Sequence, residues 1–329
     1  MLVVVIREAS LSLPTPHAPR LSGQDWLLLI ILSVLWGGTF FFAKIALVEI
    51  PPMTLVLGRV GLAALTLLFV LKASGTAIPR SGKVWGSFLV LGCINNVLPF
   101  NLIFWGQHQM PVEIAASLAS IINATTPVFG VVVAHFFTQD EKLTPRRALG
   151  ALLGLSGVAL LFAPKLPGLS ARSDSALLAG MLACLAAAAI YAFAALYARR
   201  FKAMGVTPLQ LAFGQLAGSS LLMVPLAALA DRPWTLPMPG FAPLAAVVGL
   251  AVVSTALAFV LFFRILERAG STNLLLVTFL IPVSAILLAV AFLGERLEPV
   301  HFLAIALIGF GLAAIDGRLL AYLNNAPEQ

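Results

Sequence analysis

Polar side chains are scarce in this sequence, and those inside its long apolar runs are mostly amides, hydroxyls and aromatic rings. The richest stretch spans residues 95–109 and carries three asparagines, a proline, two phenylalanines and a tryptophan. Amides can bond to both the carboxylate and the ammonium of a zwitterion without adding fixed charge, and aromatic faces favour flat or cationic groups. This stretch predicts a neutral pocket for small amphipathic solutes.

Residues suited to catalysis or metal binding are few. Gly218-Ser219-Ser220 with His301 could be taken for the pair of an embedded serine hydrolase, but no third group is evident to orient the histidine. No cluster of His, Cys or carboxylates has metal-ligand spacing, and no glycine-rich phosphate loop follows a strand. We therefore expect neither an enzyme nor a bound metal or other cofactor.

Composition indicates a membrane protein. Of 329 residues, 60% are apolar and 10% are charged, with a mean hydropathy of +1.03. A soluble domain is typically about 45–50% apolar and about 25% charged. Ten runs are long enough to cross a bilayer as helices, which takes roughly 17–25 residues. They lie at about residues 26–47, 53–71, 84–106, 112–137, 146–163, 175–198, 207–229, 241–264, 271–293 and 299–316. We predict an all-α integral membrane protein with ten transmembrane helices.

Basic residues indicate how these helices are oriented. Fourteen of the twenty Lys and Arg residues fall on the side of the N-terminus, four fall on the opposite side, and Lys44 and Arg59 fall within spans. Basic loops are retained on the cytoplasmic side, so both termini are expected in the cytoplasm. This asymmetry explains the net charge of +7 by the topology of the loops, so the charge does not indicate nucleic-acid binding.

The chain contains a duplication. An apolar run with a proline near its middle and an acid-base-leucine ending occurs twice, 155 residues apart at the proline. The copies are marked by Pro127 with Glu141-Lys142-Leu143 and by Pro282 with Glu295-Arg296-Leu297. Because each half has five spans, the second half must be inverted in the membrane. The predicted units are a flexible tail at 1–24, a five-helix repeat at 25–164, an inverted five-helix repeat at 165–317 and a C-terminal tail at 318–329.

Prolines and glycines inside the spans concern motion and packing. Pro127 and Pro282 each remove a backbone hydrogen bond at matched positions, which predicts paired hinges, with static kinks as the alternative. The spacing of Gly150 and Gly154 lets helices approach closely. That contact could form inside one copy or between two, so a monomer or a homodimer is expected.

Several of these features resemble a known transporter family. The pattern consists of Trp36-Gly37, Lys44, Pro51-Pro52 and Arg59, together with the QDEKL and LGERL endings of the repeated run. It is similar to the EamA family of the drug/metabolite transporter superfamily over about residues 26–316. The resemblance implies ten helices in two inverted repeats and export or exchange of small metabolites. In character it is closest to the aromatic and neutral amino-acid exporters.

Candidate substrate ligands are polar or aromatic groups near the membrane midplane, where such groups are costly unless they line a cavity or pair with one another. By depth they are Trp36, Thr39, Asn95, Asn96, Asn101, Asn123, Thr125, Thr126, Tyr191, Gln215, Ser254, Thr255 and Thr278. The predicted substrate-binding residues are Trp36, Arg59, Asn96, Asn101, Trp105, Asn123, Tyr191 and Gln215. The alternatives are a bond between helices for each amide, an interfacial anchor for Trp105, and a structural partner or snorkelling for Arg59.

These expectations together predict a secondary transporter. It would move small amphipathic metabolites, above all aromatic or neutral amino acids, across a bacterial-type inner membrane by alternating access. Its partners would be the substrate and the lipid bilayer. Other candidates are a nucleotide-sugar or sugar-phosphate carrier, a drug carrier and a channel. No carboxylate lies in the middle of a predicted span, so a proton relay is poorly supported, and Lys44 is expected to snorkel to the interface.

Overall fold

A computed structural model describes residues 22–137, 144–162, 172–274 and 276–316, and over these residues the chain is helical without strands. The helices are α1 (Gly23–Ala46), α2 (Pro52–Ala73), α3 (Gly82–Gly92), α4 (Leu98–Gln109), α5 (Ala115–Asn123), α6 (Thr126–Phe137), α7 (Pro145–Phe162), α8 (Arg172–Ala198), α9 (Arg200–Ala203), α10 (Pro208–Ala230), α11 (Phe241–Val248), α12 (Ala258–Leu274), α13 (Val277–Leu293) and α14 (Pro299–Asp316). Two π-helical segments, Cys93–Val97 and Gly249–Leu257, join α3 to α4 and α11 to α12. The Glu141-Lys142-Leu143 triplet, the predicted boundary at 164/165 and most of both predicted tails lie outside the described residues.

The predicted membrane character is confirmed. Within the described ranges, seven helical stretches are long and apolar enough to cross a bilayer, and two shorter apolar helices cover Val277–Leu293 and Pro299–Ile315. The predicted and observed helices agree within about three residues, with two exceptions. α12 continues to Leu274, whereas the prediction ends that span at 264, and α13 begins at Val277, whereas the prediction begins that span at 271. Residues 264–269 are strong helix formers despite their charges, so polarity alone misplaced the end of the helix. The predicted count of ten spans remains a prediction.

Local sequence signals explain where the helices begin. Four of them open on proline, namely Pro52, Pro145, Pro208 and Pro299. The first turn tolerates proline because its missing N–H would have no partner there. Capping boxes open α1 and α10: the first pairs Ser22 with Asp25, and the second pairs Thr207 with Gln210. In each box, the side chain of either residue accepts a hydrogen bond from the backbone N–H of the other residue.

Helices that correspond under the 155-residue offset run in opposite directions. α1 and α13 are parallel neighbours, because the Ser33 and Ser284 hydroxyls lie 2.8 Å apart and Lys44 Nζ lies 2.9 Å from Glu295 Oε1. The same Glu295 carboxylate accepts a hydrogen bond from the backbone N–H of Ala116, near the start of α5. α13 therefore ends where its counterpart, the α5–α6 pair, begins. This pair therefore has the opposite directions that an inverted repeat requires.

The two ends of the bundle differ in charge. One end, called the basic end, has the exposed residues Lys72, Arg80, Lys83, Arg199, Arg200 and Lys202. The opposite end, called the Lys44 end, mixes three bases with five acids among the side chains that the structure describes: Lys44, Arg232, Arg296, Glu49, Glu113, Asp231, Glu295 and Glu298. Connections are tied together at both ends: Gln210 Nε2 donates to the carbonyl oxygen of Ala77, and the Thr54 backbone N–H donates to Asp231 Oδ2. The expectation that the basic end is cytoplasmic remains a prediction.

Small residues hold α7 against α14. A Cβ atom added to Gly150 would lie 2.5 Å from the carbonyl oxygen of Gly311 in α14, and one added to Gly154 would lie 2.6 Å from Val128 Cγ2 in α6, the helix on its other side. Both distances are far inside van der Waals contact, so neither position has room for a side chain. The glycine pair predicted from its spacing therefore packs inside one copy of the chain.

Candidate functional site

A cavity of about 530 Å³ lies between helices of both halves. Its volume is within the range of about 300–1,000 Å³ that is usual for small-molecule sites. Apolar and aromatic side chains form most of its wall, and a few polar groups interrupt them. Five of the eight predicted substrate residues line it, and so do both predicted hinges: Trp36, Arg59, Asn96, Asn123, Tyr191, Pro127 and Pro282.

Irregular helix segments bring the polar groups to this wall. The first π segment carries Asn95 and Asn96, and the second carries Ser254 and Thr255. The two segments overlap under the 155-residue offset, so the halves contribute equivalent irregularities. A π segment is a costly departure from the α-helix and is frequent at functional sites.

Among the described residues that line the cavity, Arg59 is the one with a charged side chain. It is 6% exposed, and its guanidinium carbon Cζ lies 3.6 Å from the centroid of the Phe100 ring and 5.6 Å from that of Phe104. Its Nε donates to Thr255 Oγ1 at 3.0 Å. Across the described ranges, no carboxylate forms an ion pair with Arg59. A buried cation with only neutral contacts is costly, and anionic ligands relieve that cost.

The second π segment positions the partner of Arg59. Thr255 Oγ1 donates its own proton to the carbonyl oxygen of Leu250, five residues earlier, at 2.8 Å. Its lone pairs are then free to accept from Arg59 Nε. Phe100 and Thr255 correspond under the 155-residue offset, so equivalent positions of the two halves hold the guanidinium. Nε donates to Thr255, and the Phe100 ring covers one face of the guanidinium. The two terminal Nη groups form the edge that can bind a carboxylate through two parallel hydrogen bonds.

Unpaired oxygen atoms lie in the same wall. Asn96 Oδ1, Asn123 Oδ1 and Ser254 Oγ are buried and have no hydrogen-bond partner in the part of the chain that the structure describes. Asn96 is 1% exposed and Ser254 is 0% exposed. Buried polar atoms are nearly always paired, so these oxygens lack a donor, and a group in the cavity reaches them only if the side chains that cover them move. They are suited to an ammonium or a hydroxyl.

Aromatic rings make up the apolar part of the wall. Trp36 and Phe262 are tilted neighbours with ring centroids 5.6 Å apart, and Phe259 and Tyr191 also line the cavity. Trp36 and Tyr191 are 155 residues apart, so equivalent positions of the two halves both supply aromatic rings. Such a wall favours a substrate with an apolar or aromatic portion.

Three predicted substrate residues lie outside this wall. Asn101 Nδ2 donates to the carbonyl oxygen of Val97 and contacts Met223 Sδ at 3.3 Å. Gln215 Oε1 accepts from Asn95 Nδ2 at 2.8 Å, which joins two helices. Trp105 is 42% exposed. These environments favour the alternatives of helix contact for the amides and interfacial anchoring for the tryptophan, and the three residues do not enter the site proposed below.

The two predicted hinge prolines have different local structures. Two turn residues, Ala124 and Thr125, separate α5 from α6, and Pro127 is the second residue of α6. Pro282 instead lies inside the continuous helix α13. α5 ends at Asn123, so its C-terminus lies at the cavity wall. Their role as hinges remains a prediction.

The expectation that Lys44 snorkels is wrong. Its Nζ forms an ion pair with Glu295 Oε1 at 2.9 Å, and the two side chains are 11% and 0% exposed. The reason is that Glu295 comes just after α13 and is buried between helices, where it binds Lys44. From sequence, the position of Glu295 at the end of an apolar run suggested the interface between membrane and water.

Several wall residues were missed from sequence, notably Phe40, Ile103, Phe259 and Phe262. An apolar side chain in a transmembrane helix has the same hydropathy whether it faces lipid, a neighbouring helix or a cavity. The one available signal was the position of Phe259 and Phe262, one and two turns after the Ser254-Thr255 pair, and that signal is weak.

Comparison with known proteins agrees with this architecture. A solved crystal structure with 23% identity superposes with a TM-score of 0.63 and covers 91% of this chain and 98% of that chain, which supports the fold. The chain is 26% identical to Protein PecM of Dickeya dadantii over 85% of this chain and 88% of the relative. It is 24% identical to the uncharacterized inner membrane transporter YedA of Escherichia coli (strain K12), over 87% and 89%.

A third relative carries a more specific name. The probable terminal-alkyne amino-acid exporter of Streptantibioticus cattleyicolor is 26% identical, over 93% of this chain and 98% of the relative. The sequence model of the EamA-like transporter family matches residues 25–163 and again residues 178–315. Because the two matches cover most of both halves, the protein belongs to the EamA-like transporter family and is a transporter rather than an enzyme.

Proposed function

We propose that the protein is a secondary transporter for amino acids with apolar or aromatic side chains. It works by alternating access and carries out export or exchange across the inner membrane. Ten spans in two inverted repeats, 25–164 and 165–317, place both termini in the cytoplasm. The relatives named as an inner membrane transporter and as a probable amino-acid exporter support this assignment.

The observation that carries the proposal is the unpaired charge of Arg59 on the wall of the cavity. The α-carboxylate of the substrate binds the free edge of the guanidinium through charge-assisted hydrogen bonds. Such bonds contribute about 1.5–3 kcal/mol each. The ammonium group binds the unpaired oxygens of Asn96, Asn123 and Ser254.

The aromatic wall gives the selectivity for the side chain. Trp36, Phe259 and Phe262 offer ring surface to an apolar side chain, while a charged side chain would lose its hydration there without gaining a partner. A sugar phosphate fits less well, because a phosphate monoester carries about 1.5–2 negative charges at neutral pH and the wall offers one arginine. A cationic drug would be repelled by Arg59.

Counterflow in proteoliposomes tests the assignment. Vesicles preloaded with unlabelled phenylalanine should take up labelled phenylalanine saturably and faster than empty vesicles. Leucine should compete, while glucose 6-phosphate and ethidium should not. A response to phosphorylated sugars alone would overturn the substrate assignment. Flux that never saturates would instead favour a channel.

Two asparagines of the same span provide a matched pair for the site. Asn96 lines the cavity, whereas Asn101 contacts Val97 and Met223 away from it. Asn96→Ala should raise the KM for phenylalanine by about 5-fold, the loss expected for one hydrogen bond. Asn101→Ala should leave KM close to that of the wild type. Equal effects of the two substitutions would remove Asn96 from the site.

A further inference from the structure

Glu295 joins three helices at the Lys44 end of the bundle. Its Oε1 lies 2.9 Å from Lys44 Nζ of α1 and accepts a hydrogen bond from the backbone N–H of Ala116 at 2.9 Å. Its Oε2 accepts from the backbone N–H of Ser117, also at 2.9 Å. The carboxylate belongs to the second half, and all three groups that bind it belong to the first half. It is therefore a fully buried tie between the halves.

The ends of α13 and α5 bring this contact about. Gly294 adopts the left-handed conformation, with φ of 65°, which ends α13 and places Glu295 directly after the turn. Ile114 precedes α5 without a polar side chain, so the first N–H groups of α5 need acceptors from elsewhere. Glu295 supplies them, and the positive end of the helix dipole favours its negative charge. It caps a helix of the other half.

The tie lies just beyond the cavity. Thr39 and Phe40 of α1 line the cavity, and Lys44 follows Thr39 by five residues, which is about 7.5 Å along a helix. Between them Ala43 is 0% exposed, and Gln107 Nε2 donates to the carbonyl oxygen of Phe40. Toward the basic end the wall continues instead, through Phe262 and other side chains. The cavity is thus blocked in the direction of Lys44.

We propose that Lys44, Glu295 and the N-terminus of α5 form the gate that closes the substrate pathway at this end. The proposal rests on the alternating-access transport proposed above. The gate opens when the end of α13 leaves α1 and α5, so that the cavity faces the opposite side of the membrane. Lys44 and Glu295 are hydrated when the gate is open, which compensates for the lost ion pair. An apolar contact would gain no such compensation.

Cysteine accessibility tests this gate. Thr39→Cys, in a chain with Cys93 and Cys184 replaced by alanine, reports on the cavity through its rate of labelling by a membrane-impermeant maleimide. Met238→Cys, on an 85% exposed loop residue at the Lys44 end, identifies the membrane side from which to label. From that side, labelling of Thr39→Cys should be slow.

Glu295→Gln should raise this labelling rate about 10-fold, because the closed form then buries an unpaired Lys44 while the open form hydrates it. Glu298→Gln is the matched control, since Glu298 is exposed three residues further along, and it should leave the rate unchanged. Lys44→Met is a second variant that keeps both hydrogen bonds of Glu295 to α5, and it should also raise the rate. Both variants are checked for a monodisperse elution profile in detergent.

Unchanged labelling in both Glu295→Gln and Lys44→Met would overturn the gate. An equal rise in Glu298→Gln would overturn it as well, because within the described ranges that carboxylate forms no ion pair with the first half. The labelling needs no substrate, so the two proposals fail separately. Gated labelling without amino-acid counterflow removes the substrate assignment alone, and counterflow with ungated labelling removes the gate alone.

Discussion

Arg59 and Lys44 are both cations inside the helical bundle, but their surroundings are opposite. Lys44 pairs with a carboxylate that is itself held by two backbone N–H groups. Arg59 rests on an aromatic ring and one hydroxyl and faces the cavity. A charge that a protein already neutralises serves its architecture, whereas a charge left with neutral contacts is available to a ligand. The difference places Lys44 in the contact between the halves and is the basis of the proposal that Arg59 binds the substrate.

The largest effect on stability is expected at the paired cation. Lys44→Met removes one partner of a buried ion pair, a change that costs about 3–5 kcal/mol. Two N–H groups still bind Glu295, so the lower value is expected, with a melting temperature in detergent lower by about 5 °C or more. Arg59→Met, which removes an unpaired charge, should not lower the melting temperature. Equal destabilisation by both would erase the distinction.

The largest effect on transport is expected at the unpaired cation. Arg59→Met should lower kcat/KM for phenylalanine roughly 10- to 100-fold, because it removes the charge-assisted bonds to the carboxylate. Arg59→Lys should recover part of this loss, since lysine retains the charge without the planar fork. Arg80→Met, at an exposed arginine of the basic end, is the control and should transport normally. Normal transport by Arg59→Met would contradict the assignment.

A smaller effect on transport is expected at Thr255, which orients Arg59. Thr255→Val removes the acceptor of Arg59 Nε and should raise KM about 3- to 10-fold, with kcat changed less. Thr255→Ser keeps the hydroxyl and should behave like the wild type. If the two variants transport alike, Thr255 contributes packing and does not position the guanidinium.

The smallest effect is expected at the other end of α1. Arg268 Nε lies 3.3 Å from Asp25 Oδ1, but the Arg268 side chain is 40% exposed. Exposed pairs contribute little, since water already solvates the charges. Arg268→Met removes this pair but keeps the Ser22–Asp25 capping box, so it should leave the melting temperature and the labelling of Thr39→Cys unchanged. A shift comparable to that of Lys44→Met would mean that exposure does not separate the two ion pairs.

Much of the architecture could be predicted because it follows from local physics. Apolar length determines where the helices lie, and the repeated run around Pro127 and Pro282 predicts two inverted halves, an expectation with which the opposite directions of α13 and the α5–α6 pair agree. The clustering of basic residues at one end of the bundle follows from counting Lys and Arg in the connections between the helices. These features depend on residue type along the chain and need no knowledge of which side chains meet.

Pairings across the bundle could not be predicted. Lys44 and Glu295 are 251 positions apart, and the local sequence around either residue does not indicate that the two side chains pair. The contacts of Arg59 with Phe100 and Thr255 likewise join three spans. Position along the spans separated Arg59 from Lys44, but it assigned Lys44 to the interface, because the buried carboxylate that binds it could not be located from sequence.

Ligand binding to purified protein tests the central claim most directly. Phenylalanine and phenylalaninamide differ in the carboxylate that Arg59 is proposed to bind, and both retain the ammonium and the ring. Wild-type protein should bind phenylalanine at least about 10-fold more tightly than the amide, and Arg59→Met should bind both with the same weak affinity. Equal affinities in the wild type, or an undiminished preference for phenylalanine in Arg59→Met, would contradict the claim that Arg59 holds the substrate carboxylate.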